Sequence, residues 1–211
     1  GSGLVGSEMC IRDRFTSTAI QWFPGIAKRF LAQHPGIDLQ LICVDDEDAL
    51  EEAVWRGDAD CGFFVYPIKH DLHAVPLRKD PLLVVLPPDH PLADAPFVPR
   101  EALAEELYIR LESGTSSEME TLFRANDVEP NVRFTIDSDY AVMSMVSAGL
   151  GFSVLADLIL RDAPFPLAVK QPEVETSREI AIALRSLETA STATRAFLDA
   201  TQAWIAETYE E

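Results

Sequence analysis

Apolar positions along the chain alternate between short unbroken runs and helical stripes, an order that predicts an α/β protein with a mostly parallel sheet. Ile20, Phe23, Ala27, Phe30 and Leu31 recur at helical spacing and predict a helix over residues 19–33, stopped by His34-Pro35-Gly36. Ile37, Leu39, Leu41 and Cys43 then alternate with Asp38, Gln40 and Ile42, a strand pattern broken by the acidic run 45–48. Residues 49–55 form a short amphipathic stripe closed at Arg56-Gly57, and Cys61-Gly62-Phe63-Phe64-Val65 is the uninterrupted run expected of a strand buried on both faces.

The second half repeats the theme. Buried runs occupy 82–86, closed by Pro87-Pro88, and 107–111, which opens into Glu112-Ser113-Gly114-Thr115-Ser116-Ser117. A helix is predicted over 118–125 and a strand over 132–136. Asp137-Ser138 then caps a helix over 140–148 that Gly149-Leu150-Gly151 ends, and a strand over 152–155 follows. A Pro-rich linker covers 163–172, a strand 180–184 and an amphipathic helix 194–207. Residues 1–14 show neither period, and Gly1-Ser2-Gly3 resembles a cloning scar, so this segment is set aside as artefactual.

Charge changes the picture more than composition does. Seventeen Lys and Arg stand against 35 Asp and Glu, and a formal net charge of −18 repels phosphate backbones and anionic lipid alike. This chain by itself is therefore not expected to bind nucleic acid, and no apolar run reaches the length of a membrane span. Cys10, Cys43 and Cys61 are odd in number, and the latter two sit in apolar runs, which favours free thiols in a reducing cytoplasm.

Candidate chemistry lies where strands hand over to helices. Thr16, Ser17 and Thr18 open one helix, and Ser113, Thr115, Ser116 and Ser117 another, so backbone N–H groups, the helix dipole and hydroxyls converge as they do around a bound carboxylate. Either run alone reads as ordinary N-capping. Two such runs on separate α/β segments favour a ligand, because open sheets bind at the carboxyl ends of their strands.

Four stretches, in order, resemble the effector-binding domain of LysR-type transcription regulators. Phe15-Thr16-Ser17-Thr18 followed by Leu31-Ala32-Gln33-His34-Pro35-Gly36-Ile37-Asp38-Leu39 is similar to that family's first strand, helix and turn. Residues 51–62 resemble its next helix, glycine and strand. Pro81-Leu82-Leu83-Val84-Val85-Leu86-Pro87-Pro88-Asp89-His90-Pro91-Leu92-Ala93 carries its strand and D-H-P-L-A turn nearly verbatim, and Val146-Ser147-Ala148-Gly149-Leu150-Gly151-Phe152-Ser153-Val154-Leu155 its last glycine-rich segment. The chain departs from the family at Cys10-Ile11-Arg12-Asp13-Arg14, where an apolar first strand is usual, and at Ala156, where proline is usual.

The resemblance implies a periplasmic-binding-protein-like (type II) fold, two α/β subdomains around a cleft joined by two crossover segments. Subdomain I is expected to take residues 15–79 and 174–211, and subdomain II residues 80–173, with the DNA-binding domain absent from this chain. It implies effector contacts at Thr16, Ser17, Thr18, Phe64, Val65, Ser113, Gly114, Thr115, Asp137, Ser138 and Phe152, although Phe64 and Phe152 read equally as core aromatics. It also implies a small, anionic effector, a homodimer or tetramer, and contact with DNA only through the absent winged helix-turn-helix domain. The face of 19–33 and the strand 39–44 are the expected contact surfaces between copies. No cofactor, metal or catalytic residue is expected, and no membrane partner. The nearest alternative is an exported solute-binding protein of the same fold, which would need a signal peptide. An enzyme is the third reading, but the chain has no G-x-S-x-G, no phosphate loop and only scattered His34, His70, His73 and His90. His70 and His73 with Asp71 would make a weak metal pair, against an exposed polar turn.

Overall fold

The computed structural model describes residues 7–13, 16–44, 46–112 and 116–209, which form nine strands and eight helices. The chain divides into two units, one built from residues 1–79 and 179–211, the other from residues 80–178.

In the first unit the order is β1 (Ser7–Asp13), α1 (Thr16–Gln21), α2 (Phe23–Gln33), β2 (Ile37–Cys43), α3 (Glu47–Arg56) and β3 (Cys61–Val65). The start of β4 (His73–Leu86), the end of β9 (Thr176–Leu184) and α8 (Thr192–Tyr209) complete it. Its strands lie in the order β2-β1-β3-β9. β1 runs parallel to both β2 and β3, whereas β3 pairs antiparallel with β9, Phe63 opposite Ile182 and Val65 opposite Ile180. Residues 7–13, set aside from the sequence, are therefore an inner strand. Met9, Ile11 and Asp13 are its buried positions at period 2, and the charges at Arg12 and Asp13 hid that alternation.

The helix expected over 19–33 is two helices, the first of them opened by Thr16, Ser17 and Thr18 as expected. The break falls at Trp22, because Pro24, in the first turn of α2, has no N–H to give the carbonyl four residues back. Trp22, Ile26 and Phe30 form the buried stripe, while Ile20 and Leu31 are exposed. Phe30 packs edge-on against Phe197 of α8 at 5.3 Å, and Trp22 meets Phe63 at 6.3 Å. Burying each such ring contributes about 1.5–3 kcal/mol. α3 is framed by local chemistry: Asp46 accepts from the Asp48 and Ala49 N–H groups at its start, and Gly57, at φ 84°, ends it in the left-handed region.

The second unit contains the end of β4, α4 (Arg100–Glu105), β5 (Leu107–Leu111), α5 (Ser116–Ala125), β6 (Asn131–Ile136), α6 (Asp139–Ser147), β7 (Ser153–Ala156), α7 (Asp157–Leu160), β8 (Ala168–Lys170) and the first residues of β9. β4 pairs antiparallel with β7 and β8, and β5 pairs parallel with β6. The pairing is thus mixed rather than mostly parallel, since periodicity sets a strand's burial but not its direction. Tyr108, Phe123 and Phe152 stack at the centre of this unit, Tyr108 lying 4.7 Å from Phe123 and 5.2 Å from Phe152. Phe152 also exchanges backbone hydrogen bonds with β5, donating to Leu107 at 2.9 Å and accepting from Ile109 at 2.8 Å. Gly151 makes that approach possible: a Cβ there would lie 2.3 Å from the Leu107 carbonyl oxygen.

Other differences have equally local causes. Residues 73–81 extend β4 well before the apolar run, disguised by Pro76, Pro81 and the charged run Arg78-Lys79-Asp80. The linker expected over 163–172 contains β8, and Cys43, read as apolar, is exposed on β2 while Cys61 is buried. The short helices α4 and α7 were not anticipated.

Candidate functional site

In the first unit the carboxyl ends of β1 and β3 lie side by side, since the two strands are parallel neighbours. The chain leaves β1 into α1, whose first residue, Thr16, is exposed and whose next two, Ser17 and Thr18, are buried. Thr18 Oγ1 donates to Asp13 Oδ2 at 2.6 Å, so the last residue of β1 and the first turn of α1 share one buried hydrogen bond. Val65 ends β3 beside them, and Phe64 turns into the core with Leu50, Val54 and Ala183. Ser17, Thr18 and Val65 therefore collect at one edge of the sheet, whereas the Phe64 ring is a packing element.

The second unit repeats this arrangement with different chemistry. β5 and β6 are parallel neighbours, and each runs from its carboxyl end towards a helix, α5 and α6. Ser113, Gly114 and Thr115 lie outside the described residues. Asp137 and Ser138 are exposed between β6 and α6, where Ser138 Oγ accepts from the Ala141 N–H at 3.4 Å as the N-cap. Phe152, 1 % exposed, belongs to the aromatic core instead.

What sequence reasoning missed is a buried ionic cluster behind those helix starts. Arg178, near the start of β9, donates through Nε and Nη2 to Asp80 Oδ2 at 2.9 and 2.8 Å, and through Nη1 to Glu118 Oε2 at 3.3 Å. Asp80 is the first residue of this unit on β4, and its other oxygen accepts the Leu158 N–H of α7 at 2.9 Å. Burial opposes the charge on Arg178, but Asp80 and Glu118 more than offset it and hold the guanidinium above its ordinary value. Asp139, in the first turn of α6, feels the same guanidinium. Burial nevertheless pushes its carboxyl above the usual aspartate range, with Arg178 offsetting only part of the shift. Glu118 Oε1 is buried with no hydrogen-bond partner among the described residues. Asp80 and Glu118 thus share one guanidinium, whose charge Asp139 also feels. The sequence signal was faint: Asp80 precedes an apolar run and Arg178 stands two residues before another, positions that surface charges also occupy.

Two of the histidines, His70 and His90, are engaged with carboxylates. His70 Nδ1 lies 2.8 Å from Glu51 Oε1 and Nε2 3.2 Å from Glu52 Oε2, with the ring stacked on Trp55, and His90 Nε2 lies 2.9 Å from Glu106. Among the described residues no group of three His, Cys, Asp or Glu side chains is placed to hold a metal ion, and no helix is long and apolar enough to cross a membrane.

Comparison with known proteins gives the geometry its setting. Residues 15–206 match the family model described as the LysR substrate binding domain. The HTH-type transcriptional regulator YvbU of Bacillus subtilis (strain 168) is 25 % identical over 88 % of this chain, and the chain spans 63 % of that relative's length. Among solved structures, the Synechocystis PCC6803 CcmR regulatory domain in complex with 2-PG superposes with a TM-score of 0.83 at 25 % identity, covering 94 % of this chain and 97 % of that one. The BenM effector binding domain with its effector benzoate gives 0.82 at 21 % identity, covering 98 % and 96 %. These neighbours share the periplasmic-binding-protein-like type II fold, a mixed α/β architecture, and the relatives are transcription regulators rather than exported solute-binding proteins. The chain belongs to the LysR substrate-binding domain family, and is a ligand-sensing regulatory domain of that kind.

Proposed function

We propose that this chain senses a small anionic effector on behalf of a LysR-type transcription regulator and transforms nothing chemically. The observation that carries the reading is that both units place helix starts at the carboxyl ends of neighbouring parallel strands, one of them rich in hydroxyls. Thr16, Ser17, Thr18, Phe64 and Val65 are the effector-binding residues of the first unit. Ser113, Gly114, Thr115, Asp137, Ser138 and Phe152 are those of the second. Phe64 and Phe152 act from the core, shaping the edges on which the polar groups sit. The two units are the two effector-binding subdomains, and the 2-PG and benzoate bound by the CcmR and BenM domains support a small anion as the class of ligand.

The effector shifts a conformational population by binding one arrangement more tightly than another. The whole protein is cytoplasmic, works as a homodimer or tetramer and reaches DNA through a winged helix-turn-helix domain. Contacts between copies use α2 and β2, the outermost strand of its sheet, where Leu31 and Ile42 are exposed. At −18 this domain brings no net positive charge to a phosphate backbone.

A thermal-shift screen against small carboxylates, amino acids and aromatic acids tests the proposal. A binder present at a hundredfold over its Kd should stabilise the chain by about 2.7 kcal/mol and be recovered unchanged. Consumption of the compound would make the protein an enzyme, and a panel without a single saturable shift would count against sensing.

A further inference from the structure

We propose that Arg178 is a positioning residue that couples the first turn of α5 to the two segments through which the chain passes between its units. The inference rests on the ligand-sensing reading and adds how a change at that site leaves it. Three facts converge on Arg178. It lies on β9 at the last position of the second unit, and its main partner, Asp80, lies on β4 at the first, so one buried ion pair fastens both passing strands to each other inside this unit. Its third donor reaches Glu118, in the first turn of the helix that follows residues 113–115. Asp80 then passes the linkage on to α7 by accepting the Leu158 N–H.

The guanidinium is rigid and planar, so the contacts its Nε, Nη1 and Nη2 make with Asp80 and Glu118 cannot be satisfied independently. A displacement of α5 that draws Glu118 away must rotate the fork against Asp80, and a displacement of either strand must pull on Glu118. Of the contacts Arg178 makes with Asp80 and Glu118, the one to Glu118 is the longest, at 3.3 Å, and Glu118 Oε1 has no hydrogen-bond partner among the described residues. All of these groups are buried, so water cannot replace a broken contact without a penalty, and a small shift is transmitted rather than absorbed.

Hydrogen exchange on the 211-residue chain, without ligand, tests the coupling in both directions. Asp80→Asn touches nothing in α5, yet the amides of residues 119–123 should exchange about tenfold faster than any change in the β4–β7 core accounts for. Reciprocally, Glu118→Gln touches nothing in α7, yet the Leu158 amide should lose protection by a comparable factor. Either variant alone suffices if the other fails to fold. The proposal is overturned if α5 in Asp80→Asn changes only in step with the core, or if Leu158 is unmoved in Glu118→Gln. Since no ligand enters the measurement, a negative effector screen leaves this result intact, and an uncoupled Arg178 leaves sensing intact.

Discussion

The two units place helix starts at parallel strand ends and then stabilise them with opposite chemistry. In the first, Asp13 at the end of β1 is answered by a hydroxyl: Thr18 donates to it at 2.6 Å, and the neighbouring Ser17 and Thr16 are neutral. In the second, the first turns of α5 and α6 carry Glu118 and Asp139 themselves, and a buried Arg178 pairs with Glu118 and Asp80 while its charge reaches Asp139. Hydroxyls adjust cheaply, because an O–H can rotate to suit a new acceptor. A guanidinium among carboxylates holds a fixed geometry and loses much when one partner goes. On the proposed reading both units offer groups to the effector, the first through hydroxyls that can reorient and the second through helix starts backed by a fixed guanidinium.

Breaking the ionic side should have the largest effect. Arg178→Leu leaves Asp80 and Glu118 buried without a counter-charge, and chemical denaturation followed by circular dichroism should show a loss of about 3–5 kcal/mol. A loss below about 1 kcal/mol, the worth of an exposed pair, would mean that water reaches the cluster. Breaking the hydroxyl side should have a smaller effect. Thr18→Val removes one donor from a buried carboxylate and should destabilise by about 1–3 kcal/mol, read from the fluorescence of nearby Trp22, with Thr18→Ser recovering most of it.

The smallest effect separates the units by pH. The folded-state carboxyl of Asp139 is raised, so between the ordinary aspartate value of about 3.9 and that raised value the native state binds more protons than the unfolded chain. Asp139's contribution to stability then falls as pH rises through this window, and Asp139→Asn should remove that contribution from the slope while leaving stability below the window little changed. Thermal melts of the two proteins across mildly acidic pH check the sign, and a steeper slope in the variant would contradict it.

Much of this architecture could be read from local signals, because runs such as Cys61–Val65 and Leu82–Leu86 are apolar throughout and end at prolines or close to one. The acidic run before α3 and Ser138 before α6 announced their caps in the same way. What escaped depends on partners distant in the chain. Asp13 reads as a surface charge until Thr18 is seen bonded to it, and β4 hides its first half behind two prolines. Strand direction, which made the sheets mixed, leaves no trace in periodicity. The candidate site divides along the same line: helix-opening hydroxyls can be counted in the sequence, whereas Asp80 and Arg178 meet across 98 residues with no local hint that either is buried.

The most direct test of the central claim is an isothermal titration of one effector into the chain and into Thr16→Ala and Thr115→Ala, one residue from each unit's helix-opening run. If both units hold the ligand, each substitution should weaken binding about tenfold, the worth of one hydrogen bond to a charged group, with the stoichiometry unchanged. Unchanged affinity in both variants would contradict the account, because the ligand would then sit somewhere other than the helix starts on which the sensing argument is built.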